Sequence, residues 1–503
     1  MASRTRPLNL VAPALAVLLL ALVLTPLAAV GWRGAGFSLG PADWAAVRFS
    51  ATQAVLSAVF STLLAIPVAR ALARRRFPGR SALITLMGAP FLLPAVVAVL
   101  GLLAVFGRSG LLNQGLTALG LPPVSIYGLH GVLLAHIFLN LPLATRMILQ
   151  GWLSIPAERI RLAQSLGFAP RETFRHIEGP MLRDVLPGVG LVILVICLTS
   201  FAVVITLGGG PSATTIELAI YQAVRFEFDL GRASGLAGVQ LAIGAVAALA
   251  AWFLTRPAGF GAGLDRDLRL TAPSGWRRSG DAFALAAAGL FLALPLGAVL
   301  LRGLPGLSDL PASVLPAAGR SILVALASAV LTTVAALTLA LAAARHPRPL
   351  IEVAATIPLA TSGLVLGTGL FLMIQPFAPP MALALPVTIL VNVALSLPYL
   401  YRILLPETRA LQADYGRLAD SLALTGWPRL RWLVLPRLAR PLSFGAGIAA
   451  ALSMGDLGVI ALFAGEHQAT LPLVVSQLTG AYRMEAAASA ALILVTLSFA
   501  LFW

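Results

Sequence analysis

Few residues in this sequence are arranged to make or break bonds. The histidines at 130, 136, 176, 346 and 467 are never closer than six residues apart, so no metal-ligand spacing exists and no metal site is expected. Cys197 is the single cysteine, which rules out a disulfide framework. No lysine occurs anywhere in the 503 residues. A phosphate-binding loop needs one to reach the terminal phosphates, and Schiff-base chemistry needs one as nucleophile. No nucleophile and base stand together in a motif. The expectation is a chain with no catalytic residue and no cofactor of its own, in which any ATP hydrolysis belongs to another subunit.

What remains is recognition chemistry, in two forms. One is a polar pattern that occurs twice: Arg161-Leu-Ala163 with Gly167, Ile177 and Pro180, then Arg417-Leu-Ala419 with Ala423, Leu433 and Pro436. The other is a breach in apolar sequence, "LGGGPSATTIELAIYQAV" at 207–224. Gly208, Gly209, Gly210 and Pro211 break a helix there, and irregular backbone at membrane depth survives only beneath protein or around a water-filled cavity. Thr214 can cap a following short helix whose first turn carries Glu217, as the helix dipole prefers. Tyr221 and Gln222 follow one turn on. Gly455, Asp456, Gly458, Thr470 and Gln477 repeat the arrangement. Two such broken elements suit a translocation gate or a surface that receives a delivery protein. Thr214, Thr215, Glu217, Tyr221, Gln222, Asp456, Thr470 and Gln477 are then candidate path residues; a plain loop with a capping threonine and paired acids is the alternative.

The elements that position these residues are membrane spans. Hydrophobic residues make up 59% of the chain and charged ones 11%, which excludes a water-soluble globular class. The net charge of +16 comes from arginines that punctuate apolar runs, unlike the clustered charge of nucleic-acid binders. Membrane lipid is therefore an expected partner and nucleic acid is not. Runs able to cross a core of about 30 Å fall near 8–30, 49–70, 82–106, 129–149, 186–206, 234–254, 282–301, 320–344, 351–374, 380–401, 441–463 and 486–503. The first is too long for a signal-peptide core and reads as an uncleaved span. Arg70, Arg74, Arg75, Arg76 and Arg80 flank one end of span two, and Arg108 alone lies in the next connection. The amino terminus is then cytoplasmic and, with twelve spans, so is the carboxyl terminus.

The chain also repeats itself. "RLAQSLG" at 161–167 and "RLADSLA" at 417–423 lie 256 residues apart, and the same offset relates Leu141-Pro142 to Leu397-Pro398, Arg146 to Arg402 and Pro180 to Pro436. Thr215 and Gln222 pair with Thr470 and Gln477 at 255, and Pro90 with Pro358 at 268. The expected architecture is an all-α polytopic membrane protein of about twelve spans in two homologous six-span halves, parallel because the offset crosses an even number of spans. The halves are 1–254 and 282–503, joined by a polar cytoplasmic linker at 255–281.

Each half carries one long cytoplasmic loop, at 151–185 and 404–440. In the first, Pro156 and Glu158 suit a helix start, and Leu162, Ala163, Leu166 and Gly167 fall on one narrow face. After Pro170, Phe174 and Ile177 lead to Pro180. An amphipathic helix lying on headgroups has this look, but duplication, with acids mixed among the arginines, favours a protein partner of two-fold symmetry.

These residues resemble the cytoplasmic coupling loop of ABC-importer permeases, Glu-Ala-Ala-x-x-x-Gly followed by Ile-x-Leu-Pro. The departures are Arg161 and Arg417 for its Glu, Leu162 and Leu418 for its first Ala, and Ala423 for its second Gly. Fused two-half permeases of this kind include those for ferric iron and for thiamine. "LGGGPSATTIELAIYQA", "SMGDLGVIALFAGEHQATLPLVVSQL" and "YGLHGVLLAHIFLNLPLATRMILQ" resemble the permease of thiamine (and thiamine pyrophosphate) importers. The resemblance implies a type I importer permease fold in a bacterial inner membrane. It also implies a homodimeric ABC ATPase, holding ATP and Mg, on the two loops, a periplasmic thiamine-binding protein on the outer face, and alternating access between them. An acidic pair and Tyr221 would suit the cationic thiazolium ring. The competing class, a proton-coupled secondary transporter, needs ionisable groups within spans; Asp456 and His136 are the best candidates and form no relay.

Overall fold

The computed structural model describes residues 8–88, 93–254, 275–465 and 468–502. Pro90, His467, Trp503 and most of the linker at 255–281 lie outside the described residues. Every regular element among the described residues is helical, and eleven helices are long and apolar enough to cross a membrane, or twelve if one bent pair counts as a span.

The elements used below are α1 (Leu8–Gly34), α2 (Pro41–Arg74), α3 (Arg80–Leu86), α4 (Ala95–Phe106), α5 (Leu129–Leu153), α6 (Ala157–Ser165), α7 (Gly179–Leu198), α8 (Ala202–Leu207), α9 (Ile216–Gln222), α10 (Leu230–Leu254), α11 (Trp276–Gly303), α12 (Val314–Arg345), α13 (Pro349–Thr356), α14 (Gly363–Ile374), α15 (Ala384–Ser421), α16 (Leu435–Met454), α17 (Gly458–Phe463), α18 (Leu471–Gly480) and α19 (Met484–Phe502). Their ranges recur: α7 and α8 shifted by 256 residues are α16 and α17, and α4 shifted by 268 is α14.

Two sequence expectations change. The run at 351–374 is broken, because Pro349–Ala360 and Gly363–Ile374 meet at 101°. Ser362 restarts the chain there, its hydroxyl accepting from the Val365 amide at 3.1 Å, so that α14 is capped where its first amides lack carbonyl partners. The loop expected from 404 begins instead as helix, since α15 continues to Ser421 through Pro398 and Pro406. Each proline removes one amide donor, and the packing of α15 against α12 and α16 holds the helix together.

The chain divides into two compact units. One comprises Met1–Asp43, Ile216–Ala242 and Leu307–Trp503, the other Trp44–Thr215 and Ile243–Gly306. They cut across the sequence halves: α1 groups with the second half and α11 with the first. In the first-named unit, α12 shows why the helices associate. Ala317, Ser321, Ala325, Ser328, Thr332, Ala336, Ala340 and Ala343 line its buried face, while Leu323, Val330 and Val334 are exposed. Small residues let backbones approach closely in a bilayer, where leucine gains nothing by leaving lipid.

The two lead helices seat alike, each within its own unit. A Cβ on Gly369 of α14 would lie 2.4 Å from the Pro26 carbonyl oxygen of α1, and one on Gly101 of α4 would lie 2.7 Å from that of Pro295 in α11. Gly101 and Gly369 are related by the same 268-residue offset as the helices that carry them. Asp281 further fixes α11: Arg74 Nη2 donates to Oδ1 at 2.7 Å and Arg75 Nε to Oδ2 at 2.8 Å.

Candidate coupling surface and gate

The two copies of the Arg-Leu-Ala pattern fold alike. In the first, Pro156 precedes α6, Ile160 and Ala163 are buried, and Leu162 and Leu166 stand 59% and 61% exposed. In the second, at the end of α15, Ala419 is buried and Leu418 and Leu422 are 55% and 62% exposed. The face read from sequence as Leu162, Ala163, Leu166 and Gly167 thus splits: alanine faces in, the leucines face out. Arg161 and Arg417 are exposed.

Both helices end the same way. Gly167 has φ 66° and Ala423 φ 51°, the left-handed conformation that closes a Schellman turn. The Phe168 amide donates to the Ala163 carbonyl at 3.0 Å and the Leu424 amide to that of Ala419 at 2.9 Å. Each copy then passes through a short α-turn into a π-helical turn, Phe174–Glu178 and Leu430–Val434, which delivers the chain to α7 and α16. Ile177 and Leu433 are half-buried in these turns, and Pro180 and Pro436 sit exposed just after them. The pins differ. Buried Glu178 pairs with Arg70, whereas buried Arg429 donates to Asp420 Oδ1 at 3.0 Å and Gln412 Oε1 at 2.9 Å.

At the candidate gate, Gly208 and Gly209 are required by space. A Cβ on Gly208 would meet the Val204 carbonyl oxygen at 2.6 Å, and Gly209, at φ 76°, would place one 2.9 Å from Tyr127 Cβ. Gly210, at φ 126°, has room. Thr214 is not the cap expected: α9 opens at Ile216, so Thr215 precedes it, and the Thr214 hydroxyl donates to the Gly210 carbonyl at 3.3 Å. The pairing with Thr470, which precedes Leu471 at the start of α18, could have revealed this from sequence.

Glu217 fixes the depth of α9. It is buried, accepting from Gln240 Nε2 at 3.1 Å, with Ser362 as a second hydrogen-bond partner. Gln240 lies ten residues into α10, about 15 Å along its axis at 1.5 Å per residue, so α9 begins beside the middle of α10 and not at its end. The Leu471 amide likewise donates to Ser321 Oγ at 2.8 Å, seven residues into α12. Two arginines that sequence reasoning missed hold the chain leading to α18: Arg225 Nη2 donates to the Ala464 carbonyl at 2.9 Å and Arg320 Nε to that of Ala469 at 2.8 Å.

Tyr221 and Gln222 are half-buried, with Tyr221 edge-on to Phe226 at 5.6 Å. Asp456 Oδ1 accepts from the Val459 amide at 3.5 Å at the start of α17. Thr470 is buried and Gln477 exposed. His136 has local partners: its Nδ1 shares a hydrogen bond with Ser57 Oγ at 3.0 Å and its Nε2 with Ser200 Oγ at 2.8 Å, tying α2, α5 and the end of α7. The second half places Asn392 at the position of His136, and Asn392 Nδ2 donates to Ser453 Oγ at 2.9 Å, which reaches Ser328 at 3.2 Å. These ties were hidden because single serines in apolar runs carry no pattern; the 256-residue offset would have paired them.

Comparison with known proteins places the chain in a family. No family model matches the chain. It is 40% identical over 480 residues to the thiamine transport system permease protein ThiP of Salmonella typhimurium, covering 91% of this chain and 88% of that protein. It is 38% identical over 472 residues to that of Brucella abortus, covering 91% and 86%. The sulfate transport system permease protein CysT of Salmonella typhimurium is 30% identical over 199 residues, 39% of this chain and 71% of that one. The chain is a multi-pass membrane protein and belongs to the family of thiamine transport system permeases.

Proposed function

We propose that this chain is the permease subunit of an ATP-driven ABC importer that receives thiamine, or its phosphate esters, from a periplasmic binding protein and releases it into the cytoplasm by alternating access. In this reading it lies in a bacterial inner membrane with both termini cytoplasmic and its two halves parallel. The observation that carries the reading is the duplicated surface: two helix ends of one shape, each with a buried alanine, two bare leucines and a left-handed stop. Exposed leucines at matched positions on two copies fit a partner with two equivalent grooves, as a homodimeric ATPase has. The thiamine assignment rests on the names of the relatives.

The levers behind the two surfaces differ. In the second half the docking residues end the 38-residue α15, so displacement there passes straight along a membrane helix. In the first, Ser154–Pro156 separates α6 from α5, and motion passes through the π-turn at Phe174–Glu178 into α7. Closure of the ATPase dimer on ATP and Mg would pull the two coupling helices together and rock the halves from inward-facing to outward-facing. Hydrolysis would reset them.

Leu162→Cys and Leu418→Cys, tested separately with the ATPase carrying single cysteines along its groove, check the docking assignment. Each is expected to cross-link to the ATPase in membranes. Cross-linking of neither would overturn it.

A further inference from the structure

Among the described residues three other than glycine have a left-handed backbone: Phe228 (φ 54°), Ala423 (φ 51°) and Tyr482 (φ 58°). Ala423 stands where the first half has Gly167. The other two are large aromatics 254 residues apart, and each ends the helical stretch that climbs from the re-entrant segment to the last span of its half. Tyr482 closes the turn glycine usually closes, the Arg483 amide donating to the Leu478 carbonyl at 2.9 Å, and Phe228 closes a wider one after the π-helical turn Ala223–Glu227, the Asp229 amide donating to the Ala223 carbonyl at 3.0 Å. Glycine would sit there without strain. An aromatic in both copies means that the ring does something glycine cannot. Within the protein the rings do little, since Phe228 is 75% exposed and Tyr482 84%.

Their height in the membrane follows from the helices they precede. α10, which Phe228 precedes by two residues, rises about 37 Å over its 25 residues, more than the hydrocarbon core of about 30 Å, so its first turn lies at the hydrocarbon edge and Phe228 at headgroup level; Tyr482 holds the matching place before α19. Exposed Arg483 and Glu485 on one tip, and exposed Glu227 and Asp229 on the other, keep both tips out of the hydrocarbon. Tyrosine, with an apolar ring and a polar hydroxyl, is a residue of interfacial aromatic belts, and Phe228 sets a ring at the matching place beside exposed Glu227 and Asp229. We infer that Phe228 and Tyr482 are paired anchors in the lipid headgroup layer, and that they set the depth of the two re-entrant segments.

The test places a small fluorophore beside the intact rings, on Phe226→Cys and Ala481→Cys, in the full chain in phosphatidylethanolamine–phosphatidylglycerol vesicles; Cys197 is buried and stays unlabelled. A spin label at the lipid headgroup should quench each probe about twice as strongly as one deep in the acyl chain, as an interfacial position requires. Adding Phe228→Gly or Tyr482→Gly, which the backbone accepts, should abolish that depth preference at the neighbouring probe, and Trp at the same position should restore it. Quenching by aqueous iodide alone would overturn the inference. So would a probe untouched by lipid labels but shielded by the thiamine-binding protein, which would make the rings a protein contact. Neither result bears on the docking helices.

Discussion

A reciprocal exchange at the ends of the two docking helices should move their stabilities in opposite directions. Gly167 and Ala423 share one conformation, φ 66° and 51°, and close the same turn. A Cβ added at Gly167 would meet nothing within 4 Å, so Gly167→Ala changes only backbone preference. A left-handed alanine costs about 1 kcal/mol more than glycine there. Ala423→Gly removes that strain and adds back some unfolded-chain entropy, for a net gain of up to about 1 kcal/mol. One kcal/mol is about a fivefold change in a local opening equilibrium. Native-state hydrogen exchange reads it at the Phe168 and Leu424 amides, whose bonds to Ala163 and Ala419 span the turn. Exchange at Phe168 should rise about fivefold in Gly167→Ala, and exchange at Leu424 should fall by up to that factor in Ala423→Gly. Shifts of the same sign would refute the claim that the two copies stop by one mechanism.

Gly167→Trp, whose side chain has open space around it but would stand in the docking groove, should leave membrane insertion intact and abolish ATP-driven uptake in vesicles. Gly101→Ala and Gly369→Ala each press a methyl against a carbonyl 2.7 or 2.4 Å away and should cost about 1–3 kcal/mol, seen as a lowered melting temperature. Asp281→Asn leaves Arg74 and Arg75 without their carboxylate. The cost should be roughly 2 kcal/mol, below that of a fully buried pair because both arginines keep some solvent, and is read by the same melting assay. His136→Leu loses the ties to Ser57 and Ser200 and should cost about 1–2 kcal/mol at the usual worth of interhelical hydrogen bonds in membranes, with His136→Asn, the side chain of the other half, recovering part of it.

The parts legible in sequence are those set by local composition. Apolar length gave the spans, offset matches paired Arg161 with Arg417, and Gly208 to Pro211 marked a break that spacing alone could find. The misses have physical causes. The polar stretch from 404 read as loop, but packing carried α15 on through Pro406 to Ser421. The π-turns at 174–178 and 430–434 leave no periodic trace, since one extra residue in a turn looks like any phase slip. That α1 groups with the second half and α11 with the first depends on contacts hundreds of residues apart, and the only local sign was a glycine at 101 and at 369. Depth was hidden too, because Glu217 meets Gln240 only after the chain has turned back on itself at Phe228.

The measurement that tests the central claim most directly is uptake of labelled thiamine into vesicles containing this chain, its ATPase and the thiamine-binding protein, with ferric iron as the competing substrate. Thiamine accumulation that needs ATP and all three proteins is the expected result. Accumulation of iron instead would remove the substrate assignment, and thiamine uptake driven by a proton gradient without the ATPase would contradict the account as a whole.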